Sequence, residues 1–171
     1  MEQAAIKYDI ALSSTADLDG VAALMHANSP SQGGTLTGEF PRDKVAHMAA
    51  SGAPVVVAHR DGRVVGVLFS SDKDDPAAPP PVRAMLAAWP GESDAYVYGP
   101  VCIADSERGH GLLAQLYAAL RTHCQGREAV LFIRRDNVAS LRAHRRLGMC
   151  EVAGFTLEDV DYAVLSDHVL S

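Results

Sequence analysis

Cysteine is scarce in this chain of 171 residues. Cys102, Cys124 and Cys150 are odd in number, lie far apart and fit no zinc or redox spacing. A disulfide framework is thereby excluded. Reduced thiols in a cytoplasmic protein are expected, each acting as a small buried hydrophobe. No stretch approaches the ~20 apolar residues of a membrane span. The opening MEQAAIKYDIALSS lacks the basic start and apolar core of a secretory signal. His26, His47, His59, His110, His123 and His168 show no metal-ligand spacing, so no metal is expected. The chain carries no internal repeat. Its net charge of -6 argues against general nucleic-acid binding. Neither a membrane nor a nucleic acid is therefore an expected partner.

What is present is ordinary for a soluble globular protein: 48% hydrophobic and 21% charged residues. The length suits one domain over 1–171. The charge is unevenly spread. Arg108, Arg121, Arg127, Arg134, Arg135, Arg142, Arg145 and Arg146 are opposed within their segment only by Glu128 and Asp136. That segment is basic on an otherwise acidic chain, which suits either a phosphate-binding patch or solvated helix faces.

Patterning gives the elements in order. A strand is expected over 8–12. A helix follows within 13–28, with Leu18, Val21, Leu24 and Met25 at helical spacing. Residues 29–40 read as a loop and 41–52 as a second helix opened by Pro41. Two β-branched runs, 54–60 and 63–70, flank Asp61-Gly62, a dipeptide suited to a tight hairpin turn. The Pro-rich acidic stretch 72–94 reads as an insertion with a short helix near Val82 to Trp89. A strand over 95–105 is interrupted by Gly99-Pro100. A helix then carries Leu113, Leu116, Tyr117, Leu120 and Cys124 on one face. Strand 127–136, helix 137–148 and strands 149–157 and 161–170 complete the chain. Hairpins on one side and a β-α-β unit on the other predict an α/β (α+β) fold. Its central sheet is mixed and mostly antiparallel, with helices on both faces.

The stretch SERGHGLLAQLYAAL raises a chemical question, because Gly109 and Gly111 sit where a helix begins, and glycine weakens helices. The first N–H groups of a helix lack internal partners, and the helix dipole adds positive charge there. Glycines let a bulky anion approach. The pattern suits a phosphate or pyrophosphate. It is neither of two known phosphate motifs. Leu112, Leu113 and Ala114 follow Gly111, so the dinucleotide fingerprint Gly-x-Gly-x-x-Gly is incomplete. The Lys-Ser/Thr ending of a nucleotide-triphosphate loop is missing as well.

Arg108-x-x-Gly111 resembles the coenzyme A signature of the GNAT superfamily of N-acetyltransferases, Arg/Gln-x-x-Gly-x-Gly/Ala. Leu113 departs from it, standing where that family prefers Gly or Ala. VCIADSERG resembles the strand leading into the loop. NVASLRAHRRLGM resembles the second signature, with Asn137, Gly148 and Met149 in matching places and His144 where the family has tyrosine. The element order is also similar.

The resemblance implies a fold with a splayed parallel strand pair, for which Gly99-Pro100 is a suitable device. It implies acetyl-CoA as acyl donor, with a primary amine attacking the thioester directly. The pyrophosphate would rest on the loop Arg108, Gly109, His110, Gly111, Leu112 and Leu113. The pantetheine arm would lie along Val101, Cys102 and Ile103. Asn137 and Ser140 would also bind the donor, and Arg142, Arg145 and Arg146 would face its nucleotide end. His144 would protonate the departing thiolate. A base is required to free the amine, and Tyr96, Tyr98, Asp94 and Glu39 are all candidates. A non-catalytic acyl-CoA-binding sensor or scaffold of the same fold is the alternative, and a longer acyl group is a third reading. The acceptor would be a small-molecule or peptide amine, drawn by Asp72, Asp74, Asp75, Glu92 and Asp94. A homodimer is compatible with the resemblance.

Overall fold

Asp61 and Gly62 turn the chain with positive φ, 53° and 77°, and close a hairpin between β2 (Val56–Arg60) and β3 (Arg63–Asp72). The computed structural model describes residues 6–168. Residues 169 and 170 of the last expected strand, and 1–5 of the opening stretch, lie outside the described residues. The remaining strands are β1 (Asp9–Leu12), β4 (Tyr96–Ile103), β5 (Ala129–Arg134), β6 (Cys150–Leu157) and β7 (Val160–Ser166). The helices are α1 (Leu18–Ala27), α2 (Arg42–Ala49), α3 (Pro80–Ala88), α4 (Leu112–His123) and α5 (Val138–Arg146).

The strands form one seven-stranded mixed sheet in the order β1-β2-β3-β4-β5-β7-β6. The ladders β1–β2, β2–β3, β5–β7 and β6–β7 are antiparallel, and β4–β5 is parallel. The parallel ladder is short. It registers Tyr96 with Ala129 and Val97 with Val130, whereas β5 stays paired with β7 as far as Arg134 and Tyr162. Gly99 and Pro100 follow within β4, and proline has no N–H with which to continue a ladder. This is the splayed pair that the resemblance implies.

The chain divides into two compact units. One combines the residues up to Phe69 with Pro100–Cys124. In it α1 and α2 lay Val21, Leu24, Met25 and Val45 against Val57, Val67 and Phe69 of the strands. Successive strand residues face opposite ways, so Ala58 and its partner Gly66 present the other surface. There α4 approaches closely. A Cβ on Gly66 would lie 3.1 Å from Leu112 Cδ2 and 3.2 Å from Leu116 Cδ1.

The other unit combines Ser70–Gly99 with the chain from Gln125 onward. The proline run begins α3, with Pro79 as N-cap and Pro80 and Pro81 in the first turn, where the missing N–H groups cost nothing. Val82 and Met85 of α3 pack with Ala95, Val97, Val130 and Val164. Buried Glu128 ties the insertion down, accepting from Trp89 Nε1 at 3.0 Å, the Glu92 N–H at 2.7 Å and Ser166 Oγ. Lys73 Nζ donates to the carbonyls of Pro90 and Glu92. The insertion is thus a packed helix with anchored ends. Tyr98, one residue beyond Val97, points to the opposite face and meets α5. Each unit therefore has helices on both faces of its strands.

One expectation fails. Cys102 and Cys124 are buried, but Cys150 is exposed. It opens β6, the last strand in the sheet order, in which no residue is fully buried.

Candidate active site

The loop before α4 begins with a 3₁₀ turn over Asp105–Glu107. Gly109 and Gly111 then adopt left-handed backbone, with φ of 80° and 78°. That conformation is why glycine stands at a helix start here. A Cβ on either residue would meet nothing within 4 Å, so the space beside the loop is open. Gly111 is the N-cap of α4, and the N–H groups of Leu112, Leu113 and Ala114 have no acceptor within the helix. Open left-handed glycines, unpaired donors and a helix dipole together form a cradle that fits an anionic group. His110 is exposed beside it.

The loop is braced from below by Glu107, which is buried. Its Oε1 accepts from Tyr8 Oη at 2.8 Å and Arg60 Nη1 at 2.7 Å, and its Oε2 accepts from Ser106 Oγ at 2.7 Å. Donation by Ser106, Arg60 and Tyr8 holds its carboxyl down at about 2. The Arg108 guanidinium turns sideways. It donates to Asn28 Oδ1 at 3.1 Å and lies 3.1 Å from Asp105 Oδ1. Asn28 is itself buried and donates to the Leu24 carbonyl. Arg108 thus links the anion loop to the segment that follows α1. In β4, Val101 and Ile103 are half-buried and Cys102 is buried. Burial pushes the Cys102 thiol up to about 12, so it stays protonated and is no nucleophile.

The other expected residues gather on α5. Asn137 caps this helix, accepting from the Ser140 N–H at 3.2 Å. His144 follows one turn after Ser140 and is only 2% exposed. Its Nδ1 lies 2.8 Å from the Ser140 carbonyl oxygen. A carbonyl only accepts, so Nδ1 carries the proton, and Nε2 of the neutral ring accepts from Tyr98 Oη at 3.0 Å. Burial lowers the His144 pKa, against the opposing effect of the Ser140 hydrogen bond. The Tyr98 and His144 rings meet edge to face at 5.5 Å. Val138, Leu141, Arg142, Arg145 and Arg146 line an open cavity of about 470 Å³ on the same helix.

Of the four candidate bases, Tyr98 is the one brought against His144. Glu39 accepts from the Ser31 hydroxyl and N–H, which hold its carboxyl below the usual range. Tyr96 is buried with the Arg127 guanidinium over its ring, and Arg127 also donates to the Asp94 carbonyl. The bracing residues Tyr8, Arg60, Glu107 and Asn28 belong to no motif. Their sole sequence signal is Glu107, an acid directly before Arg108.

The model of the acetyltransferase (GNAT) family matches residues 22–149. This span holds the anion loop, β4 and α5, and the chain belongs to that family of acyltransferases. Three solved structures share the fold. A GNAT-family acetyltransferase from Streptococcus agalactiae is 15% identical, with 96% of each chain covered and a TM-score of 0.74. An N-acetyltransferase from Staphylococcus aureus is 18% identical, covering 94% of this chain and 97% of that one, with a TM-score of 0.68. A Salmonella typhimurium protein assigned as an acetyltransferase, solved with its cofactor acetyl-CoA, is 17% identical. It covers 96% of each chain with a TM-score of 0.67. No curated protein sequence matches this chain significantly. Among the described residues no helix is long and apolar enough to cross a membrane.

Proposed function

We propose that this protein transfers the acetyl group of acetyl-CoA to a primary amine by direct attack on the thioester. The observation that carries the reading is the open left-handed pair Gly109 and Gly111 at the start of α4. The N–H groups of residues 109 to 113 take the pyrophosphate, as the family resemblance implies. The edge of Val101 to Ile103 takes the pantetheine arm, and a backbone N–H there polarises the thioester carbonyl as an oxyanion donor does. Asn137 and Ser140 help to hold the donor, and the arginines of the α5 cavity suit its phosphate charge. The acceptor is a small-molecule or peptide amine. Asp74 and Asp94 are exposed acids suited to attract it. Asp72 is partly offset by Arg127 at 3.9 Å, and Glu92 lies 3.6 Å from His168 Nδ1.

Acetyl-CoA at about 100 times its Kd should stabilise the fold by about 2.7 kcal/mol, a rise in Tm of about 5–10 °C for a chain of this size. Free thiol should form when amines are added. Gly111→Val should abolish the Tm rise, because the branched side chain occupies the anion's approach. Its own Tm without ligand reports the cost of the strained backbone separately. Absence of both the Tm rise and thiol release in the wild type would overturn the reading. A Tm rise without release to any amine would assign the chain to binding alone.

A further inference from the structure

The base that frees the acceptor amine is unassigned by motif, and the family tyrosine is replaced by His144. The hydrogen bonds on α5 bear on both points. His144 Nδ1 is committed to the Ser140 carbonyl, so the resting ring has no proton on Nε2 to give. Nε2 instead accepts from the Tyr98 hydroxyl. The pair is set to receive a proton before it can deliver one. Tyr98 stands in β4 directly after the last registered pair of the parallel ladder, Val97 with Val130.

We propose that the Tyr98 hydroxyl and His144 form a two-step proton relay that serves first as the base toward the acceptor ammonium and then as the acid toward the thiolate. The inference rests on the acetyl transfer proposed above. In the first step an N–H bond of the ammonium breaks and its proton goes to Tyr98 Oη. The original Tyr98 proton passes to His144 Nε2, making the imidazolium and freeing the nitrogen lone pair. That pair forms the C–N bond at the thioester carbon. The tetrahedral intermediate collapses, the C–S bond breaks and its electron pair leaves on sulfur. The relay then runs backward. Nε2 returns its proton to Tyr98 Oη, and the Tyr98 proton goes to sulfur. Of the three ammonium protons, one stays in the amide, one reaches the sulfur through the relay and one leaves to water. In this relay the buried Tyr98 is the catalytic residue, since its hydroxyl exchanges protons with the reacting groups. His144 acts through it. The burial of His144 disfavours the imidazolium, so the borrowed proton is readily returned.

The test compares acceptors at neutral pH in the wild type, Tyr98→Phe and His144→Gln. Gln can accept from Tyr98 but cannot carry the proton. Alkylamines arrive as ammonium ions, whereas acyl hydrazides, whose carbonyl lowers the basicity of the terminal nitrogen, are already largely neutral. The expected result is a loss of about 10²–10⁴-fold in kcat/KM with alkylamines. The loss with neutral acceptors should be below about tenfold, because a thiol of reference pKa about 8.5 leaves largely unaided. The acetyl-CoA Tm shift should persist in both variants. Equal losses with both acceptor classes, or no loss with either, would overturn the relay. Should both variants fail to fold, the wild type decides by its rate in mixtures of light and heavy water. Two protons in flight give a curved dependence, and a straight line refutes the relay. Wild-type protein that acetylates no amine at all would overturn the transferase reading and the relay with it.

Discussion

Glu107 shows how one side chain can set the pH response of the fold. Its carboxyl is held at about 2 by Ser106, Arg60 and Tyr8, below the value of about 4.3 in an unfolded chain. The folded pKa is depressed, so the stabilisation is complete above the unfolded value. It is lost as pH falls from about 4.3 toward about 2. Glu107→Gln should lower Tm at pH 7 and flatten the part of the Tm curve between about pH 4.3 and about pH 2. A variant curve parallel to the wild type across that window would assign the acid response to other groups. The placing of Gly109 and Gly111 at the start of α4 is legible in the sequence, because it follows from local backbone. Glu107 is not, since Tyr8 and Arg60 lie 99 and 47 residues away. The sideways turn of Arg108 toward Asn28, 80 residues distant, is hidden for the same reason.

At the level of elements, close packing of α4 rests on an absent side chain. Leu112 Cδ2 and Leu116 Cδ1 already crowd the place where a Cβ on Gly66 would sit. Gly66→Val adds two further methyl groups there. It should destabilise the protein by about 1–3 kcal/mol through overpacking, read by chemical denaturation. Leu112→Ala in the same background should recover part of that loss. Full additivity of the two changes would show that α4 does not press on Gly66. Every α-helix and strand within the described residues is legible from periodicity, turn dipeptides and caps. What sequence patterning leaves open is the attachment of α3. Prolines mark both loops and first helical turns, and only packing of Val82 and Met85 on the strands, with Glu128 holding Trp89, separates the two cases.

For the molecule as a whole, the sequence indicates a mixed sheet with one parallel pair, because a β-α-β crossover makes its strands parallel and a hairpin makes them antiparallel. The position of β7 between β5 and β6 is not legible. Alternating patterns show that a strand is half-buried and do not say which strand lies beside it. The resemblance sets His144 where the family has tyrosine, but the hydrogen bond of His144 with Tyr98, 46 residues earlier, is not legible from it.

The bond from Tyr8 to Glu107 closes a span of 99 residues, and this has a consequence in time. The entropy of closing so long a segment grows only slowly with its length, yet chains dominated by distant contacts fold slowly. The anion loop cannot be braced until β1 has docked. After dilution from denaturant, helical circular dichroism should therefore recover before the capacity to bind acetyl-CoA. Binding should return in step with the final burial of Tyr8, followed by its fluorescence in a variant with the other tyrosines changed to phenylalanine and Trp89 removed. Recovery of binding together with the first helical signal would show a self-sufficient loop. A protein emerging from synthesis already holds its first strand when the loop appears, whereas a refolding chain must find it again.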